Sequence, residues 1–367
     1  MPDLPLVSAI MPAYNAAAFI GQTLDSVRGQ RYPNLEILVV DDGSNDGTVA
    51  IVEAAAREDT RIRLLRQANK GVAATRNRAI EEAKGTYIAP IDADDLWHPE
   101  KIACQVGCME AGGPSVGLVS TWWSVIDESG EIAVAAGRPE YEGDVFETLL
   151  QTNFVGSASV PLFRRAALDR VGGYNTRMRE QGGQGCEDWD MVLRIAEHYE
   201  CRTVLEYLVA YRKVDRSMSS NCDAMARSYQ GMIEPLRERH PELEDDLYRR
   251  SESGFHGYLA KTSYLDGNHR EALRRLRRAW EQDWAVLSDW RLLLIGATSL
   301  PLAVAQPIVS RIWPRRQAWL RLRRAWGRLQ RRPDVHFAVP SPRSADRAER
   351  EAPAAVRAVF QEAEDLI

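Results

Sequence analysis

An apolar segment that ends in carboxylates sets the first constraint on the fold. Residues 88–96 read Ile-Ala-Pro-Ile-Asp-Ala-Asp-Asp-Leu, so a run typical of a buried strand ends in Asp92, Asp94 and Asp95. Ligands of open α/β sheets gather at the carboxyl ends of such strands. Crowded carboxylates repel one another unless a cation or a hydrogen-bonding ligand lies between them, and oxygen ligands suit Mg²⁺ or Mn²⁺. The alternative is an Asp-rich turn that caps the next helix.

Segments typical of strands and helices alternate through the first part of the chain. Four apolar runs are each followed by residues with helical spacing of apolar side chains. These predicted strands are Val7–Met11, Leu35–Val40, Ile62–Leu65 and Tyr87–Ile91. The alternation indicates βαβ units, and hence an α/β fold with a mixed, mostly parallel sheet flanked by helices. Later strands are predicted at Val116–Val125, Ser157–Phe163 and Thr203–Ala210.

Carboxylates also follow the second predicted strand, at Asp41 and Asp42. Two acidic strand ends in one sheet would lie on the same edge, where nucleotides commonly bind. The sequence has no Gly-x-Gly-x-x-Gly after its first strand and no Gly-Lys-Ser/Thr of the Walker type. It therefore lacks the usual devices for dinucleotides and for nucleoside triphosphate hydrolysis.

A third acidic site opens the predicted helix Cys186–Ala196, where Glu187 and Asp188 lie in the first turn. Acidic residues at a helix N-terminus also favour the helix dipole, so a structural interpretation stays open for this pair. The five cysteines are odd in number and show no metal-ligand spacing, and Met1–Pro5 lacks the features of a secretory signal. Free thiols in a cytoplasmic protein are the simpler interpretation.

The region Arg270–Arg332 differs sharply in charge, because it holds fifteen arginines against four acidic residues, and six of the ten tryptophans. Its 19 uncharged residues Leu292–Ser310 approach the length of a membrane span, but Pro301 and Pro307 weaken that interpretation. Helices lying on an anionic membrane surface are favoured, and packing against the rest of the protein is the alternative. No nucleic-acid-binding motif is present, so no nucleic-acid partner is expected.

Five motifs, in order, resemble those of family 2 glycosyltransferases with the GT-A fold, over roughly the first 220 residues. They are Val7-Ser-Ala-Ile-Met-Pro-Ala-Tyr-Asn15, Val39-Val-Asp-Asp-Gly-Ser-Asn-Asp-Gly-Thr48, Gly71-Val-Ala-Ala-Thr-Arg-Asn77, Asp92-Ala-Asp-Asp95 and Glu187-Asp-Trp-Asp190. Each motif alone is modest, but their shared order is specific. The resemblance implies a GT-A catalytic domain at 1–222. The helical pattern from about Cys222 onward predicts a helical Arg/Trp-rich region at 223–332, and the content of proline, alanine and charge predicts a poorly ordered tail at 333–367.

The resemblance also implies a nucleotide-sugar site. Its residues are Pro12, Ala13, Tyr14, Asp42, Arg76, Asp92, Ala93 and Asp94. Tyr14 suits stacking on the base, and Asp42 accepts a hydrogen bond from a uracil-type imide N–H. Arg76 is placed near the nucleotide and Asp92 near the ribose hydroxyls. Asp94 is the expected ligand of a divalent cation, Mg²⁺ or Mn²⁺, on the sugar diphosphate.

For the acceptor, the resemblance implies that Asp188 is the general base, with Glu187 and Trp189 at the acceptor site. Family members often carry Tyr-Arg-x-His-x-x-Ser-x-Ser after the last sheet strand, but Val214 stands at the histidine position here. A basic substitute for the diphosphate contact is therefore expected, at Arg212, Lys213 or Arg216. Solvated loop charges are the alternative.

The predicted activity is hexosyl transfer, with inversion, from a nucleotide-sugar donor to a carbohydrate or lipid-linked hydroxyl acceptor. A UDP-sugar is the favoured donor, and cell-envelope polysaccharide or glycolipid assembly is the expected setting. The expected location is the cytoplasm, and peripheral contact with the cytoplasmic face of the membrane stays open. A nucleotide-sugar binding protein without catalysis is the non-enzymatic alternative. A nucleotidyltransferase is disfavoured, because the first strand is not followed by a glycine-rich activating loop.

Overall fold

The computed structural model describes residues 4–135, 137–214 and 221–304. The strands are β1 Val7–Ala13, β2 Leu35–Asp41, β3 Ile62–Arg66, β4 Tyr87–Pro90, β5 Leu96–Trp97, β6 Val116–Ile126, β7 Ile132–Ala135, β8 Leu162–Arg164 and β9 Glu200–Arg212. The helices of the first part are α1 Ile20–Arg28, α2 Thr48–Glu58, α3 Val72–Glu82, α4 Lys101–Gly112, α5 Phe146–Gln151, α6 Arg165–Val171, α7 Arg177–Glu180 and α8 Glu187–Ala196. The helices after β9 are α9 Cys222–Arg239, α10 Asp245–Leu265, α11 His269–Gln282 and α12 Trp290–Val304, with a 3-10 helix at Trp284–Ser288.

The strands form one mixed sheet in the order β3-β2-β1-β4-β8-β6-β9-β5, with β7 paired to β6. The first four strands are parallel, as are β6 and β9, whereas β5, β7 and β8 are short and antiparallel to their neighbours. The predicted α/β fold with a C-terminal helical region is confirmed. Because β1 to β4 are parallel, their carboxyl ends all lie at the same edge of the sheet.

The register of the central strands decides where the site forms. Every residue of β1 is buried, and Ala13 at its end is paired with Asp41 at the end of β2. On the other side of β1, β4 ends beside Ile10, whose carbonyl accepts the backbone N–H of Ile91. The acidic segments after β2 and β4 therefore flank the end of β1.

The strand predicted at Ser157–Phe163 is wrong over most of its length, because β8 covers only Leu162–Arg164. Ser159 instead supports the acidic segment. Its hydroxyl accepts the Asp92 backbone N–H at 2.9 Å and donates to Asp95 Oδ2 at 2.5 Å. The hydroxyl of Ser157 accepts the Ser159 backbone N–H at 3.1 Å, and a local bond of this kind competes with strand pairing.

The C-terminal helices pack against the sheet domain through an aromatic cluster. The indole of Trp189, on α8, lies 5.7 Å from the ring of Tyr229 and 6.1 Å from that of Phe255. Tyr229 and Phe255 stack on each other with centroids 4.3 Å apart, and Arg239 pairs with Glu197 at 2.7 Å. Among the described residues, no helix combines the length and hydrophobicity of a membrane span. The predicted tail 333–367 lies outside the described residues.

Candidate active site

A cleft of about 650 Å³ opens at the carboxyl edge of β1, β2 and β4. It is closed on the far side by the segment before α8 and by the end of β9. Most of the predicted site residues line it: Pro12, Ala13, Tyr14, Asp42, Asp92, Ala93, Asp94, Glu187 and Arg212. Residues from five separate sequence motifs thus meet at one surface.

The end of the cleft near β2 is organised around Asp42, whose side chain is buried. Its Oδ1 accepts hydrogen bonds from Gln67 Nε2 at 2.9 Å and from the Lys70 backbone N–H at 2.8 Å. Its Oδ2 accepts the Gly71 backbone N–H at 2.8 Å. Tyr14 stands beside this carboxylate with 53% of its surface exposed, which leaves its ring free to stack on a planar ligand.

The carboxylates of the acidic segment after β4 differ in burial. Asp95 is fully buried, and its Oδ1 accepts the Arg212 backbone N–H at 2.7 Å, so this residue holds the segment against β9. Asp94 lines the cleft, and burial together with the negative charge of Asp92 raises its pKa to about 7. Asp94 thus lies where excess negative charge would be relieved by a cation.

The donor set fits Mg²⁺ or Mn²⁺ held partly by substrate. Among the described residues, no three histidine, cysteine, aspartate or glutamate side chains are grouped closely enough to hold a metal by themselves. Mg²⁺ is commonly bound by one or two carboxylates plus substrate phosphates, with water completing the shell. Asp94, with Asp92 beside it, supplies carboxylates of that kind.

Arg76 links the donor side of the cleft to the acceptor side. Only 1% of it is exposed, and its guanidinium donates to Asp92 Oδ1 at 2.5 Å and to Glu187 Oε1 at 2.9 Å. It also lies 5.2 Å over the ring of Tyr174. The prediction of Arg76 near the nucleotide is therefore modified, because the structure places its charge behind the two carboxylates that face the cleft.

Asp188 lies one residue beyond Glu187, in the first turn of α8. It does not line the cleft but a separate cavity, too small to hold a water molecule, together with Tyr174, Ser157 and Pro161. Burial and the charge of Glu187 raise its pKa to about 7, against the opposing effect of Arg76. A carboxyl with this pKa is suited to accept a proton near neutral pH.

Comparisons with known proteins match this geometry. The sequence matches the family model described as glycosyl transferase family 2 over residues 8–172. TuaG of Bacillus subtilis, which is named as a teichuronic acid biosynthesis glycosyltransferase, is 32% identical over 219 residues, covering 59% of this chain and 82% of TuaG. The chain belongs to glycosyltransferase family 2.

Other relatives of this glycosyltransferase are matched over less of their length. EpsH of Bacillus subtilis, also named as a glycosyltransferase, is 30% identical over 46% of this chain and 49% of EpsH. The protein y4gI of Sinorhizobium fredii is 32% identical over 54% of this chain, which spans about a fifth of y4gI (21%).

Two solved structures share the fold of the glycosyltransferase. One is S. aureus TarS 1–349 in complex with UDP-GlcNAc, at 17% identity and a TM-score of 0.51, covering 78% of this chain and 91% of that one. The other is the Pyrobaculum calidifontis mannosyltransferase PcManGT with GDP-Man and Mn²⁺, at 23% identity and a TM-score of 0.51. That match covers 90% of this chain and 88% of PcManGT.

Trp189 of the glycosyltransferase does not lie at the acceptor site, so that prediction is corrected. Its side chain is buried, and its Nε1 donates to the Leu149 carbonyl at 2.8 Å. A helix turns about 100° per residue, so Trp189, two positions after the cleft residue Glu187, points to the opposite side of α8. Here it points into the aromatic cluster with Tyr229 and Phe255.

The segment after β9 contains the predicted substitutes for the missing histidine. Val214 lines the cleft. Arg212 also lines it, but its guanidinium donates to the carbonyls of Asp94, Asp127 and Glu128 and to the amide oxygen of Gln22. These bonds brace the acidic segment, and a diphosphate contact by Arg212 stays a prediction. Arg216 lies outside the described residues.

Two cleft residues of the glycosyltransferase were missed by the sequence analysis, Lys70 and Arg179. Arg179 lies across Gly71, and its Nη2 donates to Asn69 Oδ1 at 2.7 Å. Among the described residues, neither cation has a carboxylate partner within ion-pair distance. Lys70 lies in a loop and Arg179 in a helix of only four residues, so neither belongs to a periodic pattern. Only the position of Lys70 just before Gly71-Val-Ala-Ala-Thr-Arg-Asn77 could have indicated one of them.

Proposed function

We propose that this glycosyltransferase moves a hexosyl group from a UDP-sugar to a hydroxyl of a carbohydrate or lipid-linked acceptor, with inversion at the anomeric carbon. The observation that carries the proposal is that Asp42 and Asp94 line the cleft, and that Asp188 is close enough to Glu187 and Asp92 for their charges to interact. The name of TuaG supports a setting in cell-envelope polysaccharide or glycolipid assembly. The UDP-GlcNAc and GDP-Man complexes of TarS and PcManGT support a nucleotide-sugar donor.

The hydrogen bonds of Asp42 favour uracil over guanine as the donor base. A carboxylate offers about four acceptor positions, and three on Asp42 are taken by Gln67, Lys70 and Gly71. The remaining position, on Oδ2, matches the single imide N–H of uracil. Guanine presents two adjacent donors, and binding both in the bidentate manner would require a free position on each oxygen.

The diphosphate would lie between Asp94 and the two cations without carboxylate partners. A divalent cation held by Asp94 and the phosphates would act as a Lewis acid that offsets charge on the departing diphosphate. Lys70 and Arg179 supply ammonium and guanidinium donors that bind phosphate oxygens well. This arrangement would compensate for the valine at position 214.

Asp188 would remove the proton from the acceptor hydroxyl as it attacks. The acceptor oxygen forms a bond to the anomeric carbon while the bond from that carbon to the diphosphate oxygen breaks. The electron pair leaves with the diphosphate, and the proton goes to the carboxylate of Asp188. A single displacement of this kind inverts the anomeric carbon. Glu187, held by Arg76, would position the acceptor beside the base.

The organisation of the chain follows from the same proposal. We assign the transfer chemistry to residues 1–222 and a supporting role to the helices from 223 to 332, with 333–367 as a tail. The five cysteines form no disulfide, which suits a reducing cytoplasm, where nucleotide-sugar donors would be accessible.

Thermal shift with a panel of nucleotide sugars, with and without Mn²⁺, tests the donor. UDP-sugars should raise the melting temperature more than GDP-sugars, because a ligand that binds only the native state stabilises it. Release of UDP should then be measured for the wild type and for Asp188→Asn, with Asp169→Asn as a control on the exposed surface of α6. Turnover in Asp188→Asn equal to the wild type would overturn the role of the base. A thermal shift with GDP-sugars but not with UDP-sugars would overturn the choice of uracil as the nucleobase of the donor.

A further inference from the structure

Helix α12 presents an unusual outer face. One side, with Leu292, Ile295 and Ala303, is buried against the helices beneath. The opposite side is also apolar, and its exposed residues are Leu293 (49% exposed), Leu294 (53%), Leu300 (65%) and Val304 (81%). A surface helix usually turns a polar face to water, so a helix that is apolar on both sides has a second apolar environment to meet.

Three exposed tryptophans lie along the connection from α11 to α12. Trp280 lies in the last turn of α11, Trp284 opens the 3-10 helix and Trp290 opens α12, and 57%, 76% and 65% of their respective surfaces are exposed. Isolated exposed apolar residues are ordinary, but three exposed indoles within eleven residues are not. Tryptophan has an apolar body and one N–H donor, which suits the boundary between lipid chains and headgroups.

The charge near this face is mixed, and the excess of positive charge lies in the sequence that follows it. Arg277 and Arg278 on α11 expose 80% and 64% of their side chains and pair with Glu281, and Arg291 lies 5.7 Å from the ring of Trp290. Asp283 and Asp289 lie in the same connection between the helices. In the sequence that follows α12, residues 305–332 contain no acidic residue and nine arginines. These are Arg311, Arg315, Arg316, Arg321, Arg323, Arg324, Arg328, Arg331 and Arg332. Basic residues next to an apolar helix face indicate an anionic partner.

We propose that the outer face of α12, with Trp280, Trp284 and Trp290, docks on the surface of an anionic lipid bilayer. The helix lies in the interface, with its apolar side chains among the acyl chains and Arg291 at the headgroups. A second copy of the chain is a poorer occupant, because residues 305–332 of each copy would contribute nine arginines and no acidic residue to pair with them. This proposal goes beyond sugar transfer and does not depend on it.

Vesicle flotation with the full chain tests the proposal. The vesicles are pure phosphatidylcholine, or phosphatidylcholine with 30% phosphatidylglycerol (about that fraction is enough to give a strongly negative surface). The wild type should float with the anionic vesicles and much less with neutral ones, and added salt should weaken binding. A Trp280→Ala, Trp284→Ala, Trp290→Ala triple variant should bind at least about tenfold more weakly.

A matched control is Leu205→Ala, because Leu205 is 52% exposed on β9, in the sheet domain. It should bind vesicles like the wild type. Circular dichroism and UDP release without lipid should be unchanged in the triple variant, since none of the three tryptophans lies in the cleft. These readouts separate loss of docking from misfolding and from failure of the proposed transfer activity.

Three results would overturn the proposal. The first is no binding of the wild type to anionic vesicles, or equal binding to neutral ones. The second is undiminished binding of the triple variant, which would assign the lipid contact to residues 305–332 alone. The third is a wild-type dimer that the triple variant loses, without vesicle binding, which would make a second copy the occupant.

Discussion

The cleft and the outer face of α12 depart from the usual distribution of side chains in opposite directions. Charge is buried in and behind the cleft, since Arg76 is 1% exposed and Asp94 and Asp188 are shielded enough to have pKa values of about 7. The α12 face exposes apolar side chains, with Trp284 at 76% and Val304 at 81%. Buried charges and exposed apolar patches are each uncommon in proteins. Both indicate surfaces that a ligand completes, a phosphorylated one in the cleft and an apolar one at α12.

The largest expected effect comes from Asp188→Asn. Loss of the general base should lower the transfer rate by about 10²–10⁴-fold. In the wild type the rate should rise with pH through about 7, because the carboxylate must be ionised to accept the proton. That rise should disappear in the variant. A steady-state pH profile with the same slope in both proteins would show that another group accepts the proton.

The same variant should be more stable than the wild type at pH 8. The pKa of Asp188 in the folded protein, about 7, is above the ordinary aspartate pKa of 3.8, so the folded state holds this proton more tightly. The stabilisation from that proton is complete below pH 3.8 and is lost as the pH rises through 7. An amide avoids the buried charge, so melting temperatures at pH 8 should favour Asp188→Asn. Equal melting temperatures would show that ionised Asp188 does not destabilise the folded protein.

Arg76→Ala should destabilise the fold by about 3–5 kcal/mol, because it leaves the buried carboxylate of Glu187 and the partly buried one of Asp92 unpaired. Arg76→Lys keeps the charge but cannot reach both carboxylates with a planar fork. It should therefore lose less stability and lower kcat more than it raises KM. Urea unfolding with steady-state kinetics separates the two effects. A stable, fully active Arg76→Lys enzyme would remove the positioning role.

Removal of divalent cations should lower the transfer rate by about 100-fold or more, since charge on the departing diphosphate is no longer offset. Addition of Mn²⁺ or Mg²⁺ should restore it. In Asp94→Asn, the concentration of Mn²⁺ needed for a UDP-dependent thermal shift should increase. Full activity in excess EDTA would contradict the proposed cation.

Arg179→Ala should raise KM for the donor by about tenfold, with a small change in kcat, because one charge-assisted hydrogen bond to the nucleotide sugar is lost. The control is Arg177→Ala, an exposed arginine of the same short helix α7. Its kinetics should equal those of the wild type. If both variants behave alike, Arg179 has no specific contact with the donor.

The smallest effect is expected for Trp284→Ala, and Trp189→Ala is the comparison. Trp284→Ala should change the free energy of unfolding by less than about 0.5 kcal/mol, since its indole is exposed. Trp189→Ala should cost about 3–5 kcal/mol, because its indole fills the aromatic cluster. Urea unfolding of the two variants measures both. A large loss in Trp284→Ala would mean that the α12 face is covered within the protein.

The sequence was sufficient for the central strands and the acidic cleft, because a buried strand ending in carboxylates is visible in a single local pattern. It was not sufficient for the edge of the sheet. The strand β5 has only two residues, and α5 lies in a segment without clear periodicity. Trp189 was misplaced because adjacent positions of a helix face different surroundings, and a motif records only their order.

Long-range packing was the other limit. The pairing of Arg76 with Glu187 joins residues 111 positions apart, and no local pattern announces it. The contact of Arg179 with Asn69 spans 110 positions in the same way. By contrast, the arginine and tryptophan content of the C-terminal helices was evident from composition. Only the coordinates of α12 show which of those residues face outwards.

The indole of Trp189 has a consequence for shortened versions of the enzyme. It sits on the turn of helix that carries Asp188, and Tyr229 and Phe255 cover it from the far side of position 222. A fragment that ends at position 222 would expose this indole to solvent and remove packing contacts that hold α8 in place. Ending the chain at position 222 would thus impair sugar transfer, although every cleft residue from Pro12 to Val214 would still be present.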